Sequence, residues 1–217
     1  MDYGRHNEET LTADEKQVGK ALFCCASPLT DLVIECHEIS ATKDIEIKTL
    51  PCRVHKLELV APDVMVISLK LPTNQRLQFL AGQYIDILLK DGKRRSFSLA
   101  NAPHDDEYLE LHARNYPGGV FTEHVFTNMK VKDMLRFTGP LGSFFLRDTP
   151  EECSIIFLAS GTGFAPIKSI LEHVFHQEGG RHRKRNMTLY WGARTKSDLY
   201  LADLADKWQR EHDNFTF

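Results

Sequence analysis

The sequence of 217 residues contains no run of about 18 apolar residues, so it predicts no membrane-spanning helix. Its first ten residues, MDYGRHNEET, lack the basic and then apolar layout of a secretion signal. Positive charge is not in excess, because 27 Lys and Arg face 30 Asp and Glu, and we therefore expect no nucleic-acid-binding surface. The short basic run RHRKR at 181–185 is typical of a solvated loop.

Cysteine is scarce: there are five, an odd number, and no C-x-x-C pair. Without a secretion signal, this favours the reducing cytoplasm over a disulfide framework. No complete zinc or iron–sulfur site can be assembled from the local motifs. Cys153 is predicted to be a small core residue at the start of a strand. The ten histidines show no ligand spacing, so we expect them on the surface or in loops.

Three regions of the chain differ in pattern, and the first is mostly polar. Residues 1–41 contain a helix signal, since Thr12 is followed three residues later by Glu15, as in a capping box. The stretch DLVIEC at 31–36 then predicts a strand. Residues 42–50 are predicted to be a linker.

The second region, residues 51–148, predicts a closed antiparallel β-barrel or a sandwich. It consists of short alternating runs such as VMVISLKL, QYIDILLK and YLELHAR, separated by turn formers such as DGK and PGG. One helix is expected to interrupt the strands, beginning near Thr122.

The third region begins near residue 152 with CSIIFLAS, a continuous apolar run that is typical of a strand buried on both faces. A Gly-rich turn, a helix, the apolar strand NMTLYWGAR and a second helix follow. This order is the start of a doubly wound parallel α/β sheet. A third strand is expected to begin only where the sequence stops, at Phe217.

Two Gly-rich turns precede predicted helices. In SGTGFAP, Gly161 and Gly163 can let backbone N–H groups approach a phosphate at the helix N-terminus. The stretch is not the G-x-G-x-x-G fingerprint, and a purely structural turn explains it equally well. In PGGVFT, Thr122 is predicted to cap the following helix; taken alone, this stretch favours a plain turn.

The stretch RRSFSLANAP at 94–103 combines a cation, a ring and a hydroxyl. Arg95 can neutralise a pyrophosphate, Phe97 offers a flat face to a heterocycle, and Ser98 offers a hydroxyl to a ring nitrogen. Because side chains alternate along a strand, Arg95 and Phe97 share one face. A flavin dinucleotide has the matching shape, and an ordinary barrel strand is the alternative.

The stretches RRSFSLANAP, PGGVFT, GPLGSFFLR and FLASGTGFAPIKSIL occur in an order and spacing that resembles the ferredoxin–NADP reductase superfamily, with Phe97 in place of the commoner Tyr. The resemblance covers residues 50–217 and implies a multi-domain fold. It implies an antiparallel β-barrel that binds FAD over 51–148 and the N-terminal half of a doubly wound α/β NAD(P)-binding domain over 149–217.

The same resemblance implies roles for particular residues. Arg95 would bind the FAD pyrophosphate, Phe97 the isoalloxazine or ribityl group, and Ser98, the catalytic residue, the reactive central-ring nitrogen. The further cofactor-binding residues that it implies are Gly118, Gly119 and Thr122 for FAD, and Gly161, Thr162, Gly163 and Pro166 for the nicotinamide dinucleotide.

Residues 1–41 resemble the closing part of a plant-type 2Fe-2S ferredoxin, a β-grasp domain. This resemblance implies that Cys24 is a cluster ligand and that Cys25 is its neighbour. A 2Fe-2S centre needs four ligands, and the C-x4-C-x2-C loop that supplies the others is not in this sequence. We therefore expect the chain to be an internal fragment of a longer reductase, with the cluster in the full-length protein only.

The implied function is an electron-transfer oxidoreductase of the ferredoxin-fused type, such as the reductases of CDP-6-deoxyhexose biosynthesis and of aromatic oxygenases. A hydride would pass from NAD(P)H to FAD, and single electrons to a 2Fe-2S centre and an oxygenase or dehydratase partner. Two alternatives remain: a flavin or quinone reductase without a cluster, and a non-catalytic truncated flavin-binding module. NADH and NADPH are not distinguished, since Arg194 is equally well explained as a 2′-phosphate ligand or a surface residue.

Overall fold

The computed structural model describes residues 1–33, 42, 44–147, 149–177, 179–180 and 182–217. The chain divides into two compact units, Met1–Ile39 and Ser40–Phe217. Within the described ranges, no helix has the length and apolar character that crossing a bilayer requires.

The first unit contains one short helix, α1 (Ala13–Gln17). The predicted capping box is confirmed: the Thr12 hydroxyl accepts a hydrogen bond from the Glu15 N–H, and the Glu15 carboxylate accepts one from the Thr12 N–H at 3.0 Å. Of the strand predicted at 31–36, residues 31–33 are not in a strand, and residues 34–36 lie outside the described part of the chain.

The second unit begins with a six-stranded antiparallel sheet in the order β4-β3-β6-β1-β2-β5. Strands β4 and β5 lie at the two ends of this order, yet a bridge between Leu99 and Leu111 joins them, so the sheet closes into the predicted barrel. The strands are β1 (Lys48–Ala61), β2 (Val64–Lys70), β3 (Tyr84–Leu88), β4 (Arg94–Ser98), β5 (Leu109–Arg114) and β6 (Met134–Leu141).

Alternating side chains fill the barrel, as the runs in the sequence predict. In β5, Leu109, Leu111 and Ala113 are buried inside, and the residues between them face outward. Helix α2 (Val120–Thr127) adds Phe121 to the same core. The helix begins two residues earlier than predicted.

The remaining elements form a parallel α/β layer with the strand order β7-β8-β9. A third strand, β9, does form before the last residue, which the sequence pattern did not predict. The elements are β7 (Ile155–Ser160), α3 (Phe164–His176), β8 (Met187–Gly192), α4 (Ala202–Glu211) and β9 (Phe215–Thr216).

The core of this layer is aromatic and lies on one face of the sheet. The Phe164 ring, at the start of α3, stacks on the Trp191 ring of β8 with 3.9 Å between centroids. The prediction that CSIIFLAS is buried on both faces is wrong, because Ile156 and Leu158 are 64% and 75% exposed. Helices α3 and α4 pack on the opposite face of the sheet, which is the face that carries the aromatic core. Phe157 and Leu189 belong to that core.

Three smaller predictions are also wrong. Cys153 is exposed and not in the core, because β7 begins two residues later. Arg185 of the basic run is buried and not solvated, since its guanidinium donates to the Cys153 carbonyl at 2.6 Å and to the Thr149 hydroxyl at 2.8 Å. His112 is buried in β5 and not on the surface.

Candidate functional site

Strand β4 places the predicted flavin residues as the alternation requires. Arg95 and Phe97 lie opposite Ile87 and Ile85 of β3, so they share one face of the strand. The Arg95 guanidinium donates to the Arg94 carbonyl at 2.8 Å. It has no carboxylate partner among the residues that the structure describes, so its charge is available to an anion.

Phe97 brings the first two motifs together. Its ring lies 5.3 Å from the ring of Phe121, the second residue of α2, and so connects RRSFS with PGGVFT. Ser98 lies at the end of β4, opposite Tyr84, and is half-buried. Within the described ranges its hydroxyl has no hydrogen-bond partner, so it is free to bind a ligand atom.

The turn before α2 depends on its glycines. Gly118 has a φ of 78°, a value that favours glycine, and a Cβ at Gly119 would lie 2.4 Å from the Thr122 hydroxyl. The prediction that Thr122 caps the helix is wrong: the N-cap is Gly119, and the Thr122 hydroxyl donates back to the Gly119 carbonyl at 3.0 Å. The first amides of α2 therefore have no side-chain cap.

The second Gly-rich turn is a single 3-10 turn, Gly161–Gly163, which leads directly into α3. Gly161 has a φ of 51°, and its carbonyl accepts a hydrogen bond from the Trp191 indole at 2.9 Å. Thr162 is half-buried and Gly163 is exposed, with open space where a Cβ would be. Pro166 lies in the first turn of α3, where a missing N–H costs no helical hydrogen bond.

The sequence analysis missed Arg114, the last residue of β5. Its guanidinium lies beside the Gly-rich turn, because a Cβ at Gly161 would be 3.2 Å from its Nη1. Its Nε is 3.3 Å from an Asp63 carboxylate oxygen. Even so, the buried Nε and Nη2 atoms have no hydrogen-bond partner in the described part of the chain. The atom nearest Gly161 is Nη1, so the positive charge of the guanidinium lies beside the Gly-rich turn.

Arg114 is one of three polar residues on the outer face of β5 that contact the α/β layer. The other two are Glu110 and His112. The Glu110 carboxylate lies 3.2 Å from the ammonium of Lys168 in α3, and His112 bonds the hydroxyl of Tyr200, just before α4, at 2.8 Å. The signal in the sequence was the alternation in YLELHAR, which we used only to predict a strand of the barrel or sandwich.

The protonation states in this network follow from its hydrogen bonds. Burial lowers the pKa of His112 below its ordinary value, so the imidazole is neutral. The Glu110 carboxylate can only accept, so His112 Nε2 carries the proton and donates to it at 2.9 Å, and Nδ1 accepts from Tyr200. Burial alone would raise the pKa of Glu110, but His112 and Lys168 outweigh it and lower that pKa to about 2.

Cys24 and Cys25 lie in the first unit. Cys24 is exposed, and burial together with the neighbouring Cys24 thiol raises the pKa of Cys25. The described residues include no group of three or more His, Cys, Asp or Glu side chains that could hold a metal ion. The cluster-ligand role of Cys24 stays a prediction.

The comparison with known protein families agrees with this geometry. Residues 51–146 match the oxidoreductase FAD-binding domain, and residues 157–217 match the oxidoreductase NAD-binding domain. The chain therefore contains an FAD-binding and an NAD-binding oxidoreductase domain, in the ferredoxin–NADP reductase fold. The predicted fold class is confirmed for the barrel and for the parallel α/β layer.

Relatives with similar sequences are named as reductases. The chain is 37% identical over 207 residues to the CDP-6-deoxy-L-threo-D-glycero-4-hexulose-3-dehydrase reductase of Yersinia pseudotuberculosis, covering 95% of this chain and 60% of that protein. It is 37% identical over 199 residues to a terephthalate 1,2-dioxygenase reductase component of Comamonas, covering 91% of this chain and 57% of that protein. The chain thus spans about 60% of the length of these relatives.

A solved structure shares the architecture. The cytochrome P450 reductase GcoB of Amycolatopsis superposes with a TM-score of 0.73 at 33% identity, over 99% of this chain and 64% of that one. The ferredoxin–NADP+ reductase of Neisseria gonorrhoeae, with bound FAD and NADP, superposes with a TM-score of 0.65 at 22% identity, over 78% of this chain and 67% of that one, and shows the shared fold.

The Glu110 carboxylate makes a testable contribution to stability. Its pKa of about 2 in the folded chain is below the ordinary 4.5, so the stabilisation is fully present above that ordinary value and is lost as the pH falls toward 2. We expect Glu110→Gln to lower the free energy of unfolding by about 2–3 kcal/mol at pH 7. The deficit should shrink below about pH 5, as measured by urea unfolding.

The matched control for this experiment is Glu58→Gln, since Glu58 is an exposed glutamate of the same barrel that pairs with the exposed Lys56. Its effect on the free energy of unfolding should be small at every pH. A deficit in Glu110→Gln that stays constant from pH 7 to pH 4 would contradict the assigned ionisation.

Proposed function

We propose that this chain is the flavin- and nicotinamide-binding part of an electron-transfer reductase. The observation that carries the proposal is the convergence of Arg95, Phe97 and Ser98 with the turn before α2, at Phe121. A bound flavin would supply the conversion of a hydride, carrying two electrons, into single electrons. The chain's own residues bind the cofactors, orient them and exclude water.

FAD is proposed to lie along β4 and the start of α2. Arg95, which has no carboxylate partner among the described residues, offers its guanidinium for a bidentate contact to the pyrophosphate, and the amides after Gly119 are available to the same anion. The Phe97 face is available to the flavin or its ribityl chain, and the free Ser98 hydroxyl to a ring nitrogen. Gly118 permits the turn, and Thr122 fixes its shape through Gly119.

The nicotinamide dinucleotide is proposed to lie against Gly161–Gly163 at the start of α3. Gly163 leaves open space for a close approach of the ligand, and Thr162 can line the same turn. The Arg114 guanidinium, whose Nη1 lies beside Gly161, would place a positive charge next to the phosphates. Pro166 shapes the first helical turn. Arg194 is 81% exposed and 3.9 Å from Asp198, so both of its predicted roles stay open.

A partner protein is proposed to receive the electrons. The dehydrase and dioxygenase reductases among the relatives favour a dehydratase or oxygenase component as that partner.

We propose the predicted boundaries for the domains, with 1–41 as the ferredoxin-like part, 42–50 as the linker, 51–148 as the FAD domain and 149–217 as the NAD(P) part. The free thiols of all four described cysteines favour the cytoplasm.

Replacing Arg95 by Ala should weaken FAD binding. A charge-assisted contact contributes about 1.5–3 kcal/mol, so we expect a loss of roughly tenfold to hundredfold in affinity, measured by titrating the apoprotein with FAD and following the quenching of flavin fluorescence. Arg94→Ala is the matched control, because Arg94 is exposed and lies on the other face of β4. Equal affinities of the two variants would contradict the assignment.

Replacing Arg114 by Gln should weaken the binding of NADH and leave the binding of FAD unchanged. The change removes the guanidinium beside Gly161, so the dissociation constant for NADH should rise roughly tenfold to hundredfold with FAD affinity unchanged. Arg136→Gln, on an exposed position of β6, is the control. If the Arg114 variant bound NADH as the wild type does, the proposed phosphate contact would be wrong.

The cluster-ligand role of Cys24 can be tested in a longer form of the chain that supplies three further thiolates. There, Cys24→Ser should abolish the electron paramagnetic resonance signal of the reduced 2Fe-2S centre, because one of four ligands is lost. Cys25→Ser, the neighbouring thiol, should preserve the signal. An intact signal in the first variant, or its loss in the second, would reverse the assignment.

A further inference from the structure

Lys168 lies in α3, four residues after the helix begins, and is only 8% exposed. Its ammonium group is within 3.2 Å of the Ala100 carbonyl, within 3.2 Å of the Glu110 carboxylate and within 3.0 Å of the Glu172 carboxylate. An ammonium has three N–H donors. Two hydrogen bonds, to the Ala100 carbonyl and to Glu172, and an ion pair with Glu110 therefore surround the ammonium group with oxygens.

The next residue of α3 makes a parallel contact. The Ser169 hydroxyl, which is fully buried, donates to the Asn101 carbonyl at 2.7 Å. Two adjacent side chains of α3 thus hold two adjacent carbonyls, Ala100 and Asn101. We call these four residues the α3 clamp.

Strand β5 holds the same segment from the other side. The Ala100 N–H donates to the Glu110 carbonyl at 2.8 Å, and the Glu110 N–H donates to the Asn101 side-chain oxygen at 2.9 Å. The Glu110 carboxylate also accepts from Lys168, so one residue of β5 fixes both sides of the contact. The segment after β4 is therefore bonded both to β5 and, through the clamp, to α3.

The clamp connects the two proposed cofactor sites by a short path. Ala100 and Asn101 follow Ser98 by two and three residues, and Lys168 and Ser169 follow the Gly161–Gly163 turn by little more than one helical turn. The buried charges of Lys168, Glu110 and Glu172 are weak evidence for a gain in stability. Apolar side chains of similar volume commonly give a folded state that is equally stable. A charged clamp instead fixes one relative position of the two segments.

We propose that Lys168 is a positioning residue for hydride transfer: through the α3 clamp it sets the separation between the flavin site at Ser98 and the dinucleotide site at Gly161–Gly163. The inference rests on the proposed function. It adds a residue that touches neither cofactor and controls their mutual geometry. Transfer between two bound groups is sensitive to displacements of about 1 Å, which can cost about a hundredfold in rate.

The test compares Lys168→Met with Lys207→Met in the FAD-loaded protein. Both changes remove an i,i+4 Lys–Glu pair from a helix, but the Lys207–Glu211 pair is on the surface of α4. In anaerobic stopped-flow mixing with NADH, Lys168→Met should lower the limiting rate of flavin reduction roughly tenfold to hundredfold. Its FAD content and its dissociation constant for NADH should stay close to those of the wild type.

Three comparisons separate positioning from general damage. Lys168→Arg keeps the charge and the donors and should recover part of the rate. Dithionite, which needs no dinucleotide site, should reduce the flavin equally fast in all variants. Should Lys168→Met fail to fold, Ser169→Ala removes only the Asn101 contact and should lower the limiting rate severalfold. A wild-type limiting rate in the folded variants would overturn the proposal.

A measurement on the apoprotein keeps the clamp distinct from the proposed function. In Lys168→Met, hydrogen exchange of the amides at 99–105 should become faster, while Lys207→Met leaves it unchanged. A wild type that neither NADH nor NADPH can reduce would contradict the proposed function but not this contact. Unchanged exchange in Lys168→Met would overturn the clamp itself.

Discussion

Burying an ammonium group is costly unless oxygens surround its charge, and Lys168 meets oxygens of the segment after β4, of β5 and of α3. Each oxygen is itself fixed by backbone pairing or by a helix. The barrel and the α/β layer therefore meet in a definite register. The proposed cofactor sites depend on that register, because Lys168 joins the segment that follows Ser98 to the helix that follows Gly161.

Strand β5 shows how one alternating strand serves two environments. Its inward residues fill the barrel, and Glu110, His112 and Arg114 contact α3, the segment before α4 and the Gly-rich turn, respectively. A strand with one apolar face normally has water on the other. Here the second face meets another layer, so its polar groups must pair with one another, and the neutral imidazole of His112 completes the pairing with Tyr200.

The sequence pattern predicted the barrel and the α/β layer because both depend on local periodicity and turn chemistry. It also located Arg95, Phe97 and the two Gly-rich turns, since glycine and alternation act within a few residues. It could not predict that polar residues of β5 are buried, because LELHAR has the same alternation whether its outer face meets water or protein. Thr122 was wrongly predicted to be a cap. The N-cap is Gly119, so the Thr122 hydroxyl lies inside the first turn of α2.

Local charge matters more than net charge for the proposed ligands. The sequence carries a formal charge of −3, which by itself opposes binding of a polyanionic dinucleotide. Arg95 is free of carboxylate partners in the described structure, and Arg114 keeps buried donors unsatisfied beside Gly161. The turn at Gly161 leads into the N-terminus of α3, whose dipole acts in the same direction as the charge of Arg114. Because such fields are screened within about 10 Å, the proposed phosphate sites rest on these two local arrangements and not on the sum of all charges.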